Sequence, residues 1–451
     1  MNKTKFRLPV VATGALATLA FGSTAIAQSS DAIIDKLVEK GILTTKEANE
    51  LREEADKNFT TSYQVKSGML DWVTALRFNG DFRGRAEGFY SEAPNFADRS
   101  RFRYRLRFGA TAVIKDNFEV GLRLSSSEAQ GTFGGDPISG NTTFQDNASK
   151  KFVFIDLAYA KWTPINTPDW SASLTIGKME NPFVFSDMVF DGDYTAEGAA
   201  IQLGYTFNDQ HAAKVNAGGF SLDEIGGSAD DPYLFGAQLR LESTWNKHVA
   251  TSIGVAALGI MNDQQLNNTA VPNINRGNTR STLIVGTTTN QVPAFNLNPI
   301  VADASVTYTM ESFWNYNAPF PIKVGGDYMY NPAATGKNRA YSAGVTFGKS
   351  GKKGLWDLAY TYKHLGADAW YEEFVDSDFG AFYGGTLVNS GLGAGYGSGT
   401  NVKGHIAKFS YSPYDSLTLS IKWFLADLIT PLAGVDEYKM NRMQVDAVWK
   451  F

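Results

Sequence analysis

From Thr74 to the C-terminus the chain alternates, with few interruptions, between apolar and polar positions. A repeat of two marks an extended strand whose two faces meet different surroundings. The sharpest case is Arg99-Ser-Arg-Phe-Arg-Tyr-Arg-Leu-Arg-Phe108, which sets arginines on one face and Phe102, Tyr104, Leu106 and Phe108 on the other. Wound as a helix, the same residues would mix charge and apolar bulk all round. The arginine face cannot lie in a dry core, because an unpaired buried cation costs several kcal/mol. It has to be wet or meet acids, and the aromatic face has to be dry. The strand therefore predicts a structure that is wet within and apolar without.

The pattern recurs. Residues 74–90 place Arg77, Asn79, Asp81, Arg83, Arg85 and Glu87 opposite Leu76, Phe78, Phe82 and Tyr90. Similar alternation is found near 117–128, 151–163, 170–179, 197–207, 211–222, 232–246 and 247–260, and again near 298–312, 320–331, 338–349, 353–365, 403–413, 415–427 and 438–451. This makes about 16 strands, each of roughly the length a tilted membrane strand needs. The connections alternate strictly between short turns, such as 115–117 and 413–415, and long loops rich in Gly, Asn, Thr and Asp at 129–150, 180–196, 261–297 and 366–402. A soluble sandwich has no reason to sort its loops by parity, whereas an outer-membrane barrel has short periplasmic turns and long external loops. An even strand count closes such a barrel and leaves no edge facing lipid. Both termini are then expected on the periplasmic side, and the final Val448-Trp-Lys-Phe451 puts an aromatic residue at the end of the last strand.

The N-terminal segment is different. Lys3, Lys5 and Arg7 precede a mostly apolar run from Leu8 to Phe21, and Ala25-Ile26-Ala27 is a small-x-small cleavage site. Residues 1–27 read as a secretory signal peptide. Losing those three cations takes the net charge from −5 to −8. In residues 28–70, Ser30 can cap one helix ended by Gly41, and Thr44-Thr-Lys-Glu47 is a capping box opening another. This small charged hairpin, too short to bury much alone, is expected in the periplasm, as a spacer or an assembly element. The barrel is expected over 71–451.

Composition excludes several classes. The chain has no cysteine, so it has neither disulfides nor a thiolate site. Its near-balanced charge argues against nucleic acid as a partner. The four histidines (His211, His248, His364, His405) are scattered, with no metalloprotease motif, phosphate loop or nucleophile elbow. Neither an enzyme nor a bound cofactor is expected. Asp191-Gly-Asp193-Tyr-Thr-Ala-Glu197 has only a faint likeness to a calcium loop, lacking the third acid and the glycine of an EF-hand.

The candidate functional residues are charges of the lumen: Arg77, Arg83, Arg85, Arg101, Arg103, Arg105, Arg107 and Arg123, with Glu180, Asp187, Asp191, Asp193 and Glu197 in or beside the third long loop. Arginines opposed across a ladder repel unless water or acids intervene. They form either a solvated wall without a selectivity role or the cationic side of a pore constriction. The third loop also carries Pro182, Phe183, Phe185 and Phe190, too apolar for open water. Folded into the barrel, it would set its acids against the arginines and narrow the pore; packed outside, it would meet a neighbouring subunit.

Gly177-Lys-Met-Glu-Asn-Pro-Phe183, Ser186-Asp187, Phe190-Asp-Gly-Asp193 and Glu197-Gly198 together resemble the signature of the "putative porin" family of Gram-negative bacteria. The run Arg101–Arg107 and the leader sequence Gly41-Ile-Leu-Thr-Thr-Lys-Glu-Ala48 resemble it too. The resemblance implies an outer-membrane β-barrel through which small hydrophilic solutes diffuse passively. By analogy with general porins, it implies a homotrimer surrounded by outer-membrane lipid. A solute-specific anion channel, or a surface receptor or adhesin built on loops 261–297 and 366–402, are the alternatives.

Overall fold

The computed structural model describes residues 70–91, 98–130, 134–267, 270–272, 277–380, 399–431 and 439–451. The signal peptide expected over 1–27 and the helices expected within 28–70 lie outside the described residues.

Sixteen long strands form the barrel: β1 (Val73–Ser91), β2 (Arg99–Ile114), β3 (Phe118–Ser127), β4 (Phe152–Asn166), β5 (Trp170–Glu180), β6 (Thr195–Asn208), β7 (His211–Ser221), β8 (Tyr233–Thr244), β9 (Val249–Met261), β10 (Ile300–Met310), β11 (Phe320–Tyr330), β12 (Arg339–Gly348), β13 (Trp356–Leu365), β14 (Val402–Tyr414), β15 (Leu417–Leu428) and β16 (Met440–Lys450). Each pairs with its neighbours in sequence, and β16 returns antiparallel to β1 from Asp81↔Lys450 to Ser91↔Met440, so the sheet closes. Closure gives every strand two partners, which an environment without water demands. Among the described residues, helix is limited to two short 3₁₀ turns, Lys115–Asn117 and Asp263–Gln265. Two short pieces lie within the long loops: Thr142–Thr143 pairs with β2, and Arg280–Val285 forms a hairpin with Thr288–Pro293.

The period of two becomes two solvents. Phe78, Phe82, Phe102, Leu106 and Phe108 are exposed on the outer face, whereas Arg85, Arg103 and Arg105 of the same strands are buried within. Aromatic residues edge the outer band. Trp162, Trp170, Trp245, Tyr414 and Trp449 lie toward the short turns, and Tyr328, Tyr330 and Tyr341 toward the long loops. These are the girdles of a barrel that meets headgroups at both ends.

Loop length does not follow parity strictly. The turn 311–319 is longer than the connections 92–98 and 331–338 on the opposite rim. It is stabilised by a core of its own, in which Tyr316 and Phe320 pack with Leu355 at the short-turn end. The main apolar cluster lies inside the barrel, where loop residues Met188, Val189, Phe190, Trp370 and Phe374 meet inward-facing Phe220, Leu258, Val301, Met329 and Phe424. A lumen that alternation alone predicts to be wet is thus partly dry toward the long-loop rim.

The two faces should respond differently to charge. Leu239, outward at the middle of β8, changed to arginine is expected to cost about 2–4 kcal/mol of folding free energy. Glu242→Gln, on the inward face of the same strand and paired with Lys214, should cost less than about 1 kcal/mol. Denaturant titration in phospholipid vesicles measures both.

Candidate functional site in the lumen

The arginines of β2 point into the barrel and find acids. Arg107 reaches Asp81 at 2.7 Å and Asp193 at 3.1 Å. Arg105 bonds the same two carboxylates, at 2.9 Å and 2.6 Å. Arg101 bonds Glu87 of β1, and Arg103 lies 3.6 Å from it and donates to the Asn141 carbonyl at 3.1 Å. Arg85 makes a two-pronged pair with its register partner Asp446 at 2.8 Å and also meets Asp378 at 3.1 Å. Arg442 of β16 bonds Glu87 and Asp378, each at 2.7 Å. These ion pairs lace β1, β2 and β16 together across the line where the barrel closes. Arg83 has no carboxylate partner among the described residues; its guanidinium donates to the Asn141 side chain at 2.7 Å.

The loop 181–194 enters the barrel and is fastened on both sides. Val184 exchanges hydrogen bonds with Gln238 of β8 at 2.9 and 2.8 Å, and its carbonyl also accepts from Arg240 at 3.0 Å. Phe183 meets Phe220 of β7 edge-on, with centroids 6.2 Å apart. Gly236 of β8 is required here, because a Cβ would stand 2.5 Å from the Phe183 ring. At the other end of the loop, Asp193 holds Arg105 and Arg107 of β2.

A second loop locks the first. The Asp191 amide donates to the Phe374 carbonyl at 2.7 Å, and the Asp376 amide to the Asp187 carbonyl at 2.9 Å. Lys363 of β13 is buried between Asp187 (2.6 Å) and Asp376 (2.8 Å). Phe190 packs against Phe374 and Trp370, with centroids 5.4 and 6.0 Å apart. The described part of loop 366–402 therefore lies within the barrel, where the receptor alternative had it as an outer surface. Arg280 and Glu372, both buried, pair beneath it.

These contacts set the ionisation of the loop acids. Burial works to raise Asp193, but Arg105, Arg83 and Arg107 override it and hold the carboxyl below its ordinary range. Burial likewise opposes Lys363 at Asp187, and Arg442 and Arg85 at Asp378, and in both cases the cations win. Asp191 goes the other way. Burial, with Asp193 and Asp376 nearby, pushes it up to about 7, although the amides of Ser377 and Asp193 donate to it.

Two adjacent cavities lie beside loop 181–194. One, of about 560 Å³, is lined by Asp81, Glu119, Tyr159, Lys161 and Gln202 among others. The next, of about 310 Å³, lies against Phe185, Asp193 and Tyr194. Both share Arg107, Arg123, Glu180 and Asn181. Arg123 bonds Asp156 and, at 2.7 Å, Glu180.

Most of the residues singled out in the sequence thus share one inner wall, with differences. Arg77 stands at its short-turn end, 4.0 Å from Glu119 and exposed. Asp187 faces Lys363 rather than an arginine. Glu197 is a correction: it points outward on the parity of Ile201 and Leu203, and pairs across the ladder with Lys178 at 2.8 Å. Its strand begins at Thr195, so the alternation had already turned it away from the lumen. The faint calcium loop is dispersed, with Asp191 turned to backbone amides, Asp193 to arginines and Glu197 to the outer face. Arg442, Asp446, Lys363 and Asp378 were missed. Arg442 and Asp446 are legible in the alternation of β16, and Glu372–Asp378 mixes acids and aromatics as the first loop does.

Among solved structures, the chain is similar to Pseudomonas putida OprB (10% identity, 87% of this chain and 97% of that one, TM-score 0.49). It is also similar to a loop-deletion mutant of OmpT, an outer membrane protein of Vibrio cholerae (11%, 84% and 99%, 0.43). A third is Salmonella typhi OmpF in complex with daunomycin (10%, 83% and 97%, 0.44). No curated protein matches the sequence. The model of a family described as "Putative porin" matches residues 92–298 and 294–451. That match takes in most of the barrel and both lumen loops, and on it the chain belongs to the putative porin family, the channels of the outer membrane.

Proposed function

We propose that this porin passes small hydrophilic solutes by passive diffusion, along a path between loop 181–194 and the inner wall of β1–β5. The observation that carries the reading is the pair of adjacent cavities that share Arg107, Arg123, Glu180 and Asn181 in their walls. Loop 181–194 acts as the constriction. On the β7–β15 side it is sealed by apolar packing and by loop 366–380, so solutes are left the charged side. There, partly exposed Arg107 and Arg123 face Glu180 and Asp193, and a fixed field of this kind acts on charged and zwitterionic solutes. Long loops face outward, both ends of the barrel chain lie in the periplasm after residues 1–27 are removed, and three copies assemble.

A second reading, an anion-preferring channel, is favoured by Arg83, which meets no carboxylate among the described residues and so adds a positive charge beside Arg85 and Arg105. The receptor reading loses weight, since the described part of loop 366–402 is occupied inside the barrel.

Reconstitution into planar bilayers should give stepwise conductance, and its absence would reject a pore. Arg107→Gln with Arg123→Gln leaves Asp156 and Glu180 uncompensated and should move the reversal potential toward cation preference; Asp193→Asn should move it the other way. Unchanged potentials in both would remove this wall from the path.

The loop pair should also sense pH. Asp191 ionises near 7 in the folded protein and near 4 when unfolded. The folded state therefore holds the extra proton between these values, and stability is complete below about 4 and lost as pH rises toward 7. Asp187, Asp193 and Asp378 are shifted downward, so their contribution disappears only on acidification below the ordinary carboxylate range. Hydrogen exchange of amides in 185–191 and 374–378, corrected for intrinsic rate, should quicken from pH 5 to pH 8. In Asp191→Asn the trend should be flat.

A further inference from the structure

The outer face of the barrel is almost free of charge. Among the described strand residues, its ionic positions are the Lys178–Glu197 pair and a group at the long-loop end of β12–β15: Arg339, Lys403 and Asp427. Two imidazoles accompany that group. His364 is the register partner of Tyr341 on one side and of Lys403 on the other. Its ring stacks on Tyr341, with centroids 4.9 Å apart and planes at 8°. His405 accepts or donates at 2.7 Å with the Tyr360 hydroxyl. The Arg339 guanidinium sits 5.9 Å over the Tyr330 ring. Neither Arg339 nor Lys403 forms an ion pair among the described residues, and Asp427, the register partner of Lys403, forms none either.

A cation on a lipid-facing surface needs water or an anion. One alone can reach water with its long side chain. Here two cations stand on strands two apart, about 10 Å, and flank an imidazole held in place by stacking. The register sets Lys403 directly beside His364, and Arg339 lies two positions beyond Tyr341 on the other side with its guanidinium over Tyr330. Beside Arg339 the rim is low, because the β11–β12 connection is only the eight residues 331–338. Below the cations, Tyr328, Tyr341 and Tyr362 form an aromatic ledge on the same face. Two cations against one acid, with imidazole and phenol donors beside them, complement a phosphate; the ledge complements the sugar or acyl part of an amphiphile.

We propose that Arg339, His364 and Lys403 form a docking site on the barrel exterior for the phosphorylated headgroup of a membrane lipid, in the leaflet that meets the long-loop rim. The site is separate from the lumen and does not depend on what the channel passes.

Native mass spectrometry of the full protein released from detergent tests this with three probes: a glycolipid carrying phosphate monoesters on its sugars, the same glycolipid dephosphorylated, and inorganic phosphate as competitor. The phosphorylated lipid should bind, and removal of its phosphates should weaken binding at least about tenfold, the size of one lost charge-assisted contact. Arg339→Gln with Lys403→Gln should cause a similar loss while circular dichroism shows the barrel intact, and Lys178→Gln, at the other outward charge pair, should cause none. Equal binding of both glycolipids by the parent protein overturns the proposal even if the double variant does not fold. So does displacement by inorganic phosphate at equal concentration, which would mark a free-anion site. Loss of oligomers in the double variant with lipid binding unchanged would also overturn it, assigning the face to contact between copies.

Discussion

A peptide group surrounded by hydrocarbon has no water to bond, so its hydrogen bonds must be made within the protein. For strands this leaves one solution: a sheet closed on itself. The pairing of β16 with β1 over eleven register positions, Asp81↔Lys450 to Ser91↔Met440, is therefore the condition on which the other features rest. Once the sheet closes, alternate side chains are divided between two media. Phe102 and Leu106 go to the outside; Arg103 and Arg105 go to the inside. The inversion of an ordinary core follows from closure and needs no further cause.

Closure then creates a second problem, which the charges solve. Arginines project inward from β1, β2 and β16 into a space partly shut off from water. Each guanidinium there needs a carboxylate or a shared polar neighbour, since desolvation otherwise outweighs any benefit. The acids come from three sources. Asp81 and Glu87 lie on β1 itself, Asp446 on β16, and Asp193 and Asp378 arrive on loops. The loop acids are thus part of the wall. Arginine pairs suit this task because a rigid fork can hold two carboxylates at once, as Arg85 holds Asp446 and Asp378.

The fold was legible because hydrocarbon and water impose a strict period, and the strands observed run within a few residues of the expected segments. Where the pattern failed, a local interaction had replaced the two-solvent rule. The turn 311–319 outgrew its side because Tyr316 and Phe320 give it a core. The inward face was not uniformly polar, because Leu258, Val301 and Met329 meet loops rather than water. The site was half legible. Alternation placed Arg83 to Arg107, and the apolar residues of 178–197 signalled a loop that must pack. Periodicity cannot say which acid each arginine takes, as that depends on how far a loop reaches. It does set Glu197 outside, on the parity of Ile201 and Leu203 within the expected strand 197–207. The entry of 366–380 was written in Trp370-Tyr-Glu-Glu-Phe-Val-Asp-Ser-Asp378 by the same logic that marked the first loop.

The two loops also explain why a barrel of sixteen strands need not be an open cylinder. Loop 181–194 alone would cross the lumen with Phe190 exposed and with Asp187 and Asp191 drawn out of water. Loop 366–380 covers Phe190 with Trp370 and Phe374, and supplies Asp376 to share Lys363. Each loop is thus the solvent the other lacks, and neither is expected to keep its place without its partner. The seal is apolar on the β7–β15 side and ionic toward β1–β5. Only the ionic side can hold water, because a cavity stays hydrated when polar groups line it and dries when apolar ones do. The path proposed for solutes therefore follows from which side of loop 181–194 carries its phenylalanines and which carries Asp193.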